Sequence, residues 1–198
     1  MTKGTTAKSF FGLNKKDTKS YVKTIIICAL LIAITVVLKR VVEIQVPLFG
    51  VTKGQSINFS FAIIMFAGFI FGPVWGGIVG VASDLLACLL FPQGAIIIGL
   101  MATNFIVGFL AGDFAYVFMK NHRKLIPLAI FCLFISLLTS PLNSFWIITG
   151  YGINTPFLVY ALPRLGFSVC IMFPINTVLL YIIMNKIVPI LEREKLII

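Results

Sequence analysis

The sequence predicts an all-α membrane protein of six transmembrane helices with both ends in the cytoplasm, and three observations carry that expectation. The first is composition. Of 198 residues, 60% are hydrophobic and 11% are charged, and the mean hydropathy is +1.08, whereas ordinary soluble domains carry about 25% charged residues. A chain of this size still exposes roughly a third of its surface on folding, so an apolar excess this large has to face lipid. The second is length. A span takes about 20 mainly apolar residues, so six use about 120 and leave loops and tails but no further soluble domain. The third is charge. Sixteen Lys and Arg against six Asp and Glu give a formal net charge of +10, and the bases fall in the breaks between apolar runs and at the ends.

The first span runs from Tyr21 to about Val42, nearly unbroken Ile, Leu and Val, and closes on Lys39, Arg40 and Glu43. A linker with Pro47, Gly50 and Gly54 leads to a short second span, Asn58 to Phe71, which Gly72-Pro73 ends because proline cannot continue the hydrogen-bond ladder. The third runs from Val74 to Phe91 and stops at Pro92-Gln93-Gly94; Ala95 to Met119 makes the fourth. After the polar break Asn121-His122-Arg123-Lys124, Ile126 to about Ile148 is the fifth, Gly150 to Asn154 a turn, and Phe157 to about Ile187 a long sixth interrupted by prolines. The chain thus divides into a basic cytoplasmic segment, 1–20, a transmembrane domain, 21–190, and a cytoplasmic tail, 191–198.

Lys and Arg resist translocation, so basic residues near span ends set the orientation. With the N-terminus inside, the inner groups are Lys3, Lys8, Lys15, Lys16, Lys19 and Lys23, then Lys120, Arg123 and Lys124, then Lys186, Arg193 and Lys195. Lys39, Arg40, Lys53 and Arg164 remain outside. This distribution suits an anionic lipid surface and excludes nucleic acid as a partner. No cleavable signal is expected, because the first apolar run starts late and is too long. Cys28, Cys88, Cys132 and Cys170 are far apart in apolar runs and read as buried small hydrophobes.

Machinery for catalysis is missing. No G-x-x-x-x-G-K-[ST] loop is present to cradle a nucleotide, no metal-ligand spacing surrounds His122, and no His or Lys at membrane depth would activate a serine. No enzyme activity, metal or cofactor is expected. Ionisable groups at membrane depth are therefore the functional candidates. Asp84 lies in the third span, where a bare carboxylate costs a few kcal/mol; Arg164, Lys39 and Arg40 are its possible partners, and a structural ion pair and a ligand contact both stand. Asp113, nearer the inner end of the fourth span, reads as interfacial and paired with Lys120 or Arg123. Arg40 and Arg164 carry planar forks that grip carboxylates or phosphates. Singly, each reads as snorkelling to headgroups. Converging with Asn143, Trp146 and Tyr151, they would form a pocket for an anionic, aromatic solute.

Small residues mark helix packing: Ala29 and Ala33 on the first span, Gly76 and Gly80 on the third, Gly108 and Gly112 on the fourth. The most specific stretch is Phe71-Gly-Pro-Val-Trp-Gly-Gly-Ile-Val-Gly80, running into Ala82-Ser-Asp84-Leu-Leu and Leu90-Phe-Pro-Gln-Gly94. Asn143-x-x-Trp146, Tyr151-Gly152, Leu162-Pro-Arg164-Leu165 and Met172-Phe-Pro-Ile175 follow. In this order the features resemble the substrate-binding S components of energy-coupling-factor (ECF) vitamin importers, and within them the folate group, over nearly all six spans.

The resemblance implies a six-helix protein of the bacterial plasma membrane that binds a water-soluble vitamin near its outer face and has no ATPase of its own. Import would then need a transmembrane T component and two cytoplasmic ATPase subunits, with the S component toppling to release its load. It implies solute contacts at Arg40, Asp84, Gln93 and Gly94, and at Asn143, Trp146, Tyr151 and Arg164. Ala29 and Ala33 resemble the motif that docks on the T component. An anionic glutamate tail would meet Arg40 or Arg164 while Trp146 meets a ring. One stretch departs: where the folate group has an aromatic-rich Phe-Phe-Pro-Gly-Phe-Thr sequence, Ala95-Ile-Ile-Ile-Gly99 stands here. Another vitamin or precursor is the alternative ligand, and a solitary ion-coupled transporter built around Asp84 is the alternative class.

Overall fold

The computed structural model describes residues 18–40, 44–46, 55–57, 59–92, 97–118, 125–152 and 156–193. Helix α1 (Thr18–Arg40) is followed by a two-stranded antiparallel ribbon of β1 (Ile44–Val46) and β2 (Gln55–Ile57), with Ile44 opposite Ile57. Then come α2 (Ser60–Phe71), α3 (Pro73–Leu90), α4 (Ile98–Phe118) and α5 (Leu125–Tyr151). Helix α6 (Phe157–Phe167), a π-helical turn (Ser168–Met172) and α7 (Phe173–Arg193) form one continuous rod. Five stretches are long and apolar enough to cross a bilayer, and α2 is a shorter apolar sixth. The expected six-helix architecture holds. The ribbon is the addition: the linker after the first span pairs three residues on each side of Pro47 to Gly54.

Helix α2 is unusual in being wrapped by protein. Its twelve residues rise about 18 Å, well short of a hydrocarbon core of about 30 Å. Ten of the twelve are buried, among them Ile63, Ile64, Met65 and Phe66. Around it stand α1, α3, α4 and α7. Gly72 closes α2 at φ 92°, a backbone region that glycine enters without a Cβ penalty, and Pro73 opens α3 at a position where no backbone donor is needed. The chain reverses there in a single residue.

Glycines let α2, α3 and α4 approach to backbone contact. A Cβ added to Gly108 would overlap the carbonyl of Gly76, and one added to Gly80 would overlap the carbonyl of Asn104. Gly112 lies similarly against Pro73, and Gly68 against Gly108. The Gly76/Gly80 and Gly108/Gly112 pairs are therefore internal seams, the close approach that drives helix association where lipid offers no hydrophobic gain. Farther in, Phe131 of α5 stacks on Phe114 of α4 at 4.7 Å and meets Phe69 of α2 edge-on at 5.3 Å. The outside of the bundle is apolar too: Ile26 and Leu30 on α1, Ile126 and Ile130 on α5, and Leu158 and Ile182 on the last rod are exposed. Such a surface suits lipid.

Two ends differ from the sequence reading. Helix α5 continues through Thr149 and Gly150 to Tyr151, and it is Gly152, at φ 60°, that stops it. Pro189 does not end the last rod, which runs on to Arg193. The cysteines also divide: Cys28 and Cys132 are buried as expected, whereas Cys88 is half-buried and Cys170 is exposed on the apolar exterior.

Candidate functional site

A cavity opens between α2, α5 and the last rod, lined by Phe61 and Met65, by Ile135, Ser136, Thr139, Ser140 and Asn143, and by Arg164, Ser168, Met172 and Asn176. Counting along α5 and the rod, these positions reach from the outer third of the bundle to its middle. Sequence places the α5 contribution on one face, because Ser136, Thr139, Ser140 and Asn143 fall at i, i+3, i+4 and i+7. One of these hydroxyls satisfies itself on its own helix, Thr139 Oγ1 donating to the Ile135 carbonyl at 2.8 Å, as does the neighbouring Ser144, whose Oγ donates to the Ser140 carbonyl at 2.8 Å.

Others do not. The buried oxygens of Asn143 (Oδ1), Ser140 (Oγ) and Asn176 (Oδ1) meet no protein hydrogen-bond partner among the described residues. Buried polar atoms are paired in the great majority of cases, so three around one cavity mark a surface made for something else. Arg164 faces the same space. Its Nη1 donates to the Tyr160 hydroxyl at 2.8 Å, and its guanidinium carbon lies 5.2 Å from the Tyr160 ring centroid. Tyr160, one helical turn earlier and itself buried, thus holds the fork in place. No carboxylate among the described residues meets Arg164. A cation at this depth without a counter-charge is costly in lipid.

The rod's shape brings its four lining residues into line. Arg164, Ser168, Met172 and Asn176 are spaced by four, and over twelve residues of ideal α-helix that spacing drifts by about 120°. The π turn inserts one extra residue and cuts the drift to about 20°. Its diagnostic bond runs from the Phe173 N–H to the Ser168 carbonyl, and Pro174, which has no N–H to offer, follows directly.

The residues grouped by sequence fall into separate places. Asn143 and Arg164 share the cavity. Arg40 lies instead with Lys39 on α1 beside α3: Lys39 Nζ donates to Asp84, forming an ion pair, and Arg40 Nη2 approaches Cys88 Sγ at 3.9 Å. Of the three partners open to Asp84, the structure selects Lys39, and Asp84 is only 5% exposed. Neither α1 nor α3 lines the cavity. Trp146 packs elsewhere, its indole filling the space over Gly99 of α4 and meeting Phe145 edge-on at 5.3 Å. Tyr151 is exposed at the end of α5. Gln93 and Gly94 lie outside the described residues, as do Lys120 and Arg123, the partners expected for Asp113. Sequence reading passed over Ser136, Thr139 and Ser140, though their helical spacing was visible, and Asn176, a lone amide in an apolar run. Ala29 and Ala33 are exposed on the outer face of α1.

A helical bundle with apolar walls and a polar cavity in its outer half is the architecture of a membrane-embedded solute receptor. Comparison with known proteins names the kind. The family model of the ECF-type riboflavin transporter S component matches residues 19–191. A folate transporter, FolT, of Clostridium novyi (strain NT) is 30% identical over 163 residues, 81% of this chain and 87% of the relative. A crystal structure of FolT bound with folic acid superposes with a TM-score of 0.69 at 28% identity, covering 84% of this chain and 96% of that one. The chain belongs to the family of ECF transporter S components. It is accordingly a multi-pass cell-membrane protein and a transport component, not an enzyme.

Proposed function

We propose that this chain is the high-affinity folate-binding subunit of an ATP-dependent ECF importer. The observation that supports this most is Arg164, placed in an outer-half cavity with no acidic partner among the described residues and with the buried amide oxygens of Asn143 and Asn176 on residues that line the same cavity. Folate is an anion at one end and a hydrogen-bonding ring at the other. In this reading Arg164, nearer the mouth, grips a glutamate carboxylate, Asn143 faces the middle of the solute, and the deeper wall receives the ring. The FolT relatives favour the same ligand. Arg40 and Asp84 hold α1 to α3 and act on binding through that geometry; Gln93, Gly94, Trp146 and Tyr151 belong to the outer rim. A transmembrane T component docks on the small-residue face of α1 at Ala29 and Ala33, and two cytoplasmic ATPase subunits supply the energy. Equilibrium binding to the purified chain, followed by calorimetry, tests the ligand: saturable binding of folic acid is expected, and none would overturn the proposal.

A second reading is riboflavin as the ligand, favoured by the family model that matches the chain. A thermal-shift panel of vitamins separates the two, with the larger stabilisation by folic acid expected. The solitary ion-coupled transporter loses its main support, since the Asp84 carboxylate on which it rested is engaged by Lys39.

A further inference from the structure

We propose that Tyr160 is the positioning residue that makes Arg164 a reader of carboxylates: it catches the guanidinium on its way to the headgroups and leaves one edge of the fork for an acid group on the ligand. The inference rests on the folate reading and deepens it.

Left to itself, an arginine at this point of a span turns away from the protein interior. Long helical side chains lean toward the helix N-terminus, which for the rod is the outer end in this reading, so an unheld Arg164 would run along the rod toward headgroup phosphates. Tyr160 stands in that path, one turn earlier on the same face. It is 3% exposed; its hydroxyl accepts from Arg164 Nη1 at 2.8 Å, and the guanidinium carbon lies over its ring, 5.2 Å from the centroid. Two contacts of different kinds thus hold the group, one directional and one to the ring face. Arg164 lines the cavity and Tyr160 does not. The hydroxyl therefore acts on a ligand through the arginine.

The same contact decides which edge is offered. A guanidinium presents paired donors along two edges, Nη1 with Nη2 and Nε with Nη2. Tyr160 takes Nη1. Among the described residues Nε and Nη2 meet no acceptor, so the Nε–Nη2 edge is complete and free, with the spacing that receives both oxygens of one carboxylate. An amide of the same size offers one oxygen and one N–H, which sets donor against donor across that edge. A fork already held loses little freedom when the ligand arrives, so the preference for the acid over its amide depends on Tyr160.

The experiment is calorimetry on the full chain in lipid nanodiscs with two probes: folic acid, and its diamide, in which both glutamate carboxylates are primary amides. The unsubstituted protein is expected to bind folic acid at least about tenfold more tightly than the diamide. Tyr160→Phe keeps the ring and removes the hydroxyl; it is expected to lose about tenfold for folic acid and little for the diamide. In an Arg164→Ala background the same substitution is expected to change neither affinity. A loss equal for both probes, or one that persists without Arg164, marks a merely structural role and overturns the proposal. Equal affinities for acid and diamide in the unsubstituted protein overturn it whether or not the variant folds. If folic acid does not bind at all, the folate reading fails and this inference with it; if folic acid binds and its preference over the diamide survives Tyr160→Phe, only this inference falls.

Discussion

Charged side chains at membrane depth answer two different needs in this protein, and substitutions tell them apart. Arg164, held by Tyr160 and facing the cavity, is expected to matter to ligand and not to fold: Arg164→Ala should weaken folic acid binding by about 2 kcal/mol, roughly 30-fold, with the melting temperature little changed. Asp84 behaves in the opposite way. Asp84→Asn leaves Lys39 without its counter-charge in a buried place and should lower stability by about 3 kcal/mol, read as a drop in thermal midpoint in detergent. Replacing Lys39 and Asp84 together by Met and Leu should recover most of that loss, because no lone charge remains. The sequence shows that Asp84 needs a cation and offers three; which one it takes depends on the azimuths of α1 and α3, which residue order does not set. Asn176 is hidden for a related reason. A lone Asn in an apolar span looks like any helix-packing amide until the rod's register turns it toward the cavity.

Among the elements, the last rod shows how a local defect sets a binding surface. Pro174→Ala restores a backbone donor and permits uninterrupted α-helix, which would rotate Asn176 by about 100° away from Arg164. The expected outcome is a more heat-stable protein with folic acid affinity reduced at least tenfold, read by melting and calorimetry on one sample. The α3 and α4 pair makes the contrary case, where glycine spacing alone announces the contact. Gly108→Leu would drive a side chain into the Gly76 carbonyl, and loss of folded protein on size-exclusion chromatography is expected. For α1, Ala33→Trp should leave folic acid binding intact, since α1 lines no part of the cavity, and should abolish copurification of the transmembrane partner. The helices themselves were plain in the sequence, because lipid tolerates only closed hydrogen-bond ladders in long apolar runs. The β-ribbon was not, since six residues of strand among Pro and Gly carry no periodic signal.

Taken whole, the proposed function makes the molecule a receptor whose energy comes from other subunits. Proteoliposomes holding only this chain are expected to bind folic acid to a fixed stoichiometry and to accumulate none against a gradient, with or without internal ATP; accumulation would refute the division of labour. Composition and break placement made six helices readable, but the location of the cavity came from which helices touch, a property of the folded bundle. The enclosure of α2 has a further consequence, for biogenesis. Too short to bridge the bilayer alone and joined to α3 by the single Gly72, it has to leave the translocon as one half of a hairpin. Until α4 emerges from the ribosome and covers the bare glycine seam, that hairpin is an incomplete intermediate, so a synonymous pause placed just before α4 would expose the nascent chain to membrane quality control.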